Sequence, residues 1–213
     1  QGTNLGRHNP RAIFGAAALL IAVGLIPSAL QLVVQYGLKM TSAPVMYALV
    51  GFSLLYSVLV MAPMLGGFLR VIDAGENGRE THATAIFDVF KSGQGAGRMI
   101  VLAVLLFLIA SVVFGLIVGV FGPGIVGWYG ELVGICQIGA LTGTGPKLAM
   151  PAPPDGFGTV VVLGVLFGLF VQGAYAISFG QVSLTQRSVG GALADGFMGA
   201  LKNLLPLLVL LLI

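Results

Sequence analysis

Charge is what this chain has least of. Asp, Glu, Lys and Arg together make up 8% of its 213 residues, where a soluble domain carries about 25%. No water-soluble surface can be built from so few charges, so the bilayer must be the solvent. Cysteine is nearly absent: Cys136 stands alone, which excludes an internal disulfide and a cysteine-based zinc site. His8 and His82 have no second ligand at metal-binding spacing. No metal or cofactor is implied. The formal net charge is +3, but the basic residues flank apolar runs and form no basic domain, so a nucleic-acid partner is excluded. Short alternating segments are missing too, which excludes a closed β-barrel.

Apolar residues fill the space that charge leaves. They make up 57% of the chain, and mean hydropathy is +1.04. The fold class expected is all-α: a polytopic transmembrane helical bundle in a single domain. Spans are expected at about 12–34, 45–69, 99–121 and 159–179, each long enough to cross a bilayer. The first is too long for a signal-peptide core and no small-residue cleavage site follows it, so it should be retained. A fifth span starts near Leu204. Its ten apolar positions to Ile213 reach about 15 Å, half a bilayer core. The chain is therefore expected to be a piece of a longer protein, with a sixth span returning to the cytoplasm.

The positive-inside rule orients the spans. Arg7, Arg11, Arg70, Arg79, Lys91, Arg98, Arg187 and Lys202 fall on one side, and only Lys39 and Lys147 on the other, eight against two. The N-terminus is thus expected in the cytoplasm. The segment 122–157 would spoil that bias as a full span, so it reads as an outer interfacial or re-entrant segment. Gly122-Pro123-Gly124 opens it, and Trp128 and Tyr129 suit the headgroup layer. Glu131 within it reads as an interface residue.

A shift of 107 residues overlays Ala85-Ile86-Phe87-Asp88-Val89-Phe90 on Ala192-Leu193-Ala194-Asp195-Gly196-Phe197, and Gly66 on Gly173. This predicts an internal repeat. Each copy reads as a short amphipathic helix lying flat on the cytoplasmic face, at about 84–92 and 191–202. In the first, Ile86, Phe87, Val89 and Phe90 are expected on one side and Asp88 and Lys91 on the other, with Thr84 as cap. In the second, Leu193, Phe197 and Leu201 form the apolar stripe, while Asp195 and Lys202 stay wet.

Several short motifs bear on identity: Asn9-Pro10, Pro63-Met64-Leu65-Gly66-Gly67, Asp73-Ala74-Gly75, Phe87 to Lys91, and Lys202-Asn203 with Pro206. On these the chain resembles a group of bacterial polytopic inner-membrane proteins related to the membrane domain attached to some glycerophosphodiester phosphodiesterases. The resemblance covers most of the chain and implies a location in the bacterial inner membrane. The phosphodiesterase's catalytic domain has no counterpart here, so the resemblance implies no enzymatic activity.

The spans carry no Asp, Glu, Lys, Arg or His. Ion-coupled transporters and intramembrane hydrolases keep such residues, since a buried charge is costly and is retained for function. Gly93 to Arg98 has a phosphate-loop look, but no strand precedes it, so it reads as a hinge. Gly139 to Lys147 departs from a P-loop at Pro146. Asp73, Glu76, Glu80 and His82 read as a solvated turn, and Arg70 and Asp73 are spaced to pair. Gly115-x-x-x-Gly119 and Gly164-x-x-x-Gly168 are expected to be close-packing faces. Pro27 and Pro63 are expected to kink their spans, with an opening at Gly66-Gly67. Gln172, at mid-span, should bond a neighbouring helix.

Two functions fit this inventory. One is a non-catalytic accessory or scaffold subunit, packed against another integral membrane protein or itself. The other is a binding or transport protein for lipid or an uncharged small solute. Membrane lipids are partners in either case.

Overall fold

The computed structural model describes residues 9–40, 42–91, 93, 95–142, 150–185 and 187–211. The described residues are helical, with no strand among them. We number the helices α1 (Pro10–Gly37), α2 (Ala43–Glu76), α3 (Ala96–Phe121), α4 (Ile125–Thr142), α5 (Phe157–Leu184) and α6 (Val189–Leu211). A 3-10 helix, Ala83–Phe90, lies between α2 and α3. Among the described residues four of them, α1, α2, α3 and α5, are long and apolar enough to cross a membrane. The start of the chain and the stretch holding Lys147 lie outside the described residues, as do Leu212 and Ile213.

The four long helices outrun the apolar runs that announced them. Backbone hydrogen bonding continues past the last apolar residue, so α2 carries Arg70 and Asp73 and α5 carries Gln181 and Ser183. Two prolines leave local signatures. Pro27 has no N–H, so the carbonyl of Val23, four residues earlier, loses its helical donor. The Tyr56 hydroxyl on α2 donates to that carbonyl at 2.8 Å, and the α-helical pattern breaks at Leu25. Before Pro63 the helix widens into a π-turn over Ser57–Met61, where the Ala62 N–H reaches the Ser57 carbonyl. That wider turn makes room for the proline ring.

α2 sits between two cores. One joins α1, α2 and the 3-10 helix through Ala12, Ile13, Ala16, Met64, Val71 and Ile86. The other joins α2, α3, α5 and α6 around Ala62, Met99, Leu102, Phe179 and Ala192, with Val89 of the 3-10 helix. The buried residues concentrate toward the end of the bundle that holds Arg70, Arg98 and Arg187, hereafter the charged end. The far halves of α1 and α2 expose Leu32, Val33, Tyr47, Val50 and Leu55.

Several expectations change here. The segment expected as an α-helix at 84–92 is a 3-10 helix. In a 3-10 helix residues three apart eclipse one another. Ile86 and Val89 therefore share the buried stripe, Phe87 and Phe90 share an exposed one at 39% and 45%, and Asp88 with Lys91 form the third, ion-paired at 2.8 Å. Phe87 and Phe90 do not join Ile86 and Val89 on one side. Thr84 lies inside this helix and does not cap it; His82 holds the cap position without a side-chain bond.

The second expected interfacial helix, 191–202, is not separate. It is the first part of the continuous α6, which packs along α5. Its buried seam is Ala192, Gly196 and Ala200, one residue ahead of the expected stripe. Leu193 and Phe197 are half-buried and Leu201 is exposed. Small residues let the backbones of α5 and α6 approach, and that contact wins over burial of the larger side chains. Within 122–157, α4 forms one helix, Ile125–Thr142. The Trp128 indole donates to the Pro151 carbonyl at 3.0 Å and packs edge-on against Phe157.

Candidate functional site

The end of α2, the 3-10 helix and the end of α5 meet around a cavity of about 410 Å3. Its walls include Arg70, Asp73, Arg79, Thr81, Asp88 and Ser183. The last carbonyls of a helix lack intrahelical donors. At the end of α5 a side chain supplies one: Arg70 Nε donates to the Ser183 carbonyl at 2.9 Å, tying α2 to α5. Arg98, at the start of α3, donates to the Arg187 carbonyl beyond α5. Arg187 in turn grips Asp195 on α6 through Nε and Nη2 at 2.9 and 3.2 Å.

Asp73 is ion-paired with Arg79 and accepts from Asn77 at 3.0 Å. Asp73 reaches Arg79, six residues on, because the chain turns back after Glu76. Left-handed Gly78, at φ 67°, marks that turn. Asp88 faces Lys91. The Lys91 ammonium, hydrogen-bonded to its carboxylate, holds Asp88 below its ordinary pKa. Among the described residues no three His, Cys, Asp or Glu side chains gather as a metal site.

A second, apolar crevice of about 280 Å3 lies between α3, α5 and α6. Leu106, Phe167, Phe170, Phe197 and Met198 line it. Phe170 stacks between Phe167 and Phe197, with ring centres 6.5 and 5.7 Å away.

The glycines divide otherwise than expected. A Cβ at Gly66 would overlap the Met99 side chain, and one at Gly67 would overlap the Ile86 carbonyl. These are contact points inside an unbroken helix, not an opening. Space is open at Gly115, Gly119 and Gly168, while a Cβ at Gly164 would stand 3.3 Å from the Phe114 ring. A tight seam between α5 and α6 involves a glycine outside both expected motifs. A Cβ at Gly196 would overlap Ser178 Oγ and stand 2.7 Å from the Ala174 carbonyl. Ser178 is fully buried and its hydroxyl has no hydrogen-bond partner.

Pro63 is buried, and Gln172 is exposed with no hydrogen bond to a described residue. Neither lines the apolar crevice. Gln172 shares its outward face with Val161, Val165, Gly168 and Ala176, all exposed. Tyr56, Ser178 and Ser183 were not singled out in the sequence, and Arg79 only as one of the basic residues that orient the spans. Only Tyr56 had a readable signal: a hydroxyl in a span whose neighbour contains a proline. No protein-family model, curated protein or solved structure matches the chain.

Proposed function

We propose that the chain is a non-catalytic, multi-pass protein of the bacterial inner membrane that serves as an accessory or scaffold subunit. The observation that carries this reading is Gln172. It lies near the middle of α5, which runs Phe157–Leu184, and it faces away from the bundle. In hydrocarbon an amide without partners costs several kcal/mol on the order of a lost hydrogen bond in an apolar solvent. A helix docked on that face supplies the partner, and Gly168 and Ala176, one turn to either side, let its backbone come close. Gly115 and Gly119 present a similar open face on α3.

The eight-to-two distribution of basic residues supports a cytoplasmic charged end and N-terminus. The 107-residue repeat draws support from packing. Ala62–Glu76 of α2 lies along the 3-10 helix as the corresponding end of α5 lies along α6, and Asp88 and Asp195 each hold a cation.

Native mass spectrometry after gentle extraction from the source membrane tests the scaffold reading. A stoichiometric second protein, or a second copy, is expected. A lone monomer would sink it. The second reading, a lipid or uncharged-solute binding protein, is favoured by the crevice at Phe167, Phe170 and Phe197. It predicts a lipid that survives delipidating washes and is lost in Phe197→Ala.

A further inference from the structure

We propose that the cavity at the charged end binds a phosphoethanolamine-type group, a phosphate and an ammonium on a short linker, presented by a membrane lipid. Its size, about 410 Å3, falls in the range of small-ligand sites, about 300–1,000 Å3. Its walls carry two guanidinium groups, Arg70 and Arg79, and two carboxylates, Asp73 and Asp88, of which Asp73 is ion-paired with Arg79 and Asp88 with Lys91, so a seated group would share these pairs. A simple anion placed there meets both carboxylates, and a simple cation meets both guanidinium groups. A group bearing both signs a few ångströms apart is the ligand that meets neither penalty.

The guanidinium plane of Arg70 is fixed at the wall by its Nε bond to Ser183. Planar guanidinium forks suit phosphate oxygens, and carboxylates suit an ammonium. The surroundings favour a lipid as the source. Leu184 lines the cavity where α5 ends, and it is exposed. Phe87 and Phe90, in the 3-10 helix that forms another wall, are exposed as well. Exposed apolar surface beside a charged cavity suits a ligand that carries acyl chains as well as a headgroup. The proposal stands apart from lateral docking at Gln172, so either can fail without the other.

The test uses the full chain, delipidated in detergent, with native mass spectrometry as readout. Short-chain phosphatidylethanolamine, phosphatidylglycerol of the same chain length and soluble phosphoethanolamine are titrated in parallel. Phosphatidylethanolamine should bind about three- to fivefold tighter than phosphatidylglycerol, the worth of one partly exposed charge pair. Asp88→Asn should erase that preference and leave phosphatidylglycerol unchanged, while Arg79→Ala should weaken both. Both side chains are solvent-accessible, and an unchanged melting temperature confirms that each variant folds. Equal binding of the two lipids, or a preference that survives both substitutions, overturns the proposal. Soluble phosphoethanolamine binding as tightly as the lipid overturns the lipid as source.

Discussion

At the scale of single residues, the bundle depends on a few atoms that have no substitute. Gly67 faces the Ile86 carbonyl, a backbone atom that cannot rotate away. Gly67→Ala should therefore destabilise the protein by about 1–3 kcal/mol, the usual cost of overpacking. Gly115→Ala meets open space and should be neutral or stabilising, since Ala is the better helix former by about 1 kcal/mol. Thermal unfolding of the two variants in one detergent checks the contrast. Tyr56→Phe removes the donor to Val23 and should cost about 1–3 kcal/mol, the penalty for a carbonyl left unsatisfied in an apolar setting. If Tyr56→Phe melts with the wild type, the hydroxyl is not needed at the Pro27 break.

At the scale of elements, the long helices were legible and the short ones were not. Four apolar runs gave four helices long and apolar enough to span, because composition alone decides whether twenty residues prefer lipid. The 3-10 helix escaped because a segment of eight residues offers too few turns to separate a period of 3.0 from 3.6. The seam of α6 escaped for another reason. Ala192, Gly196 and Ala200 have no hydrophobic bulk, so a search for an apolar stripe settles on Leu193, Phe197 and Leu201 beside them. The charged cavity was unreadable because its walls come from residues more than a hundred positions apart, as Arg70 and Ser183 show. The third stripe of the 3-10 helix makes a pH prediction. Lys91 lowers the Asp88 pKa, so the pair stabilises the folded state above the ordinary aspartate value, about 3.9. That contribution is lost as pH falls through the lower folded value. No change from this pair is expected between pH 5 and 8. Carboxyl-carbon NMR of Asp88 should give a midpoint below 3.9, and Lys91→Met should raise it.

At the scale of the whole molecule, the proposed docking of a partner rests on the outward face of α5. Gln172→Leu removes the one amide on that face and leaves the two cores untouched. It should reduce recovery of the partner or second copy several-fold, the order set by an interhelical bond of about 1 kcal/mol in a membrane. Quantitative co-purification beside wild type measures it. Undiminished recovery would place the contact elsewhere, with the open glycines of α3 the next face to alter.

The uneven burial along α1 and α2 sets how this protein meets its bilayer. These helices run 28 and 34 residues, about 42 and 51 Å at 1.5 Å per residue, against a hydrocarbon core of about 30 Å. The excess is taken up by projecting beyond the core or by tilting. Arg70 and the buried glycines pin one end of the pair, so the tilt has a fulcrum. The far ends, where Leu32, Val33, Tyr47 and Val50 are exposed, are joined by the five residues between Gly37 and Ala43 and so tilt together. A thicker bilayer favours the pair upright and a thinner one favours it laid over, which makes the tilt of the joined pair a gauge of the membrane around it.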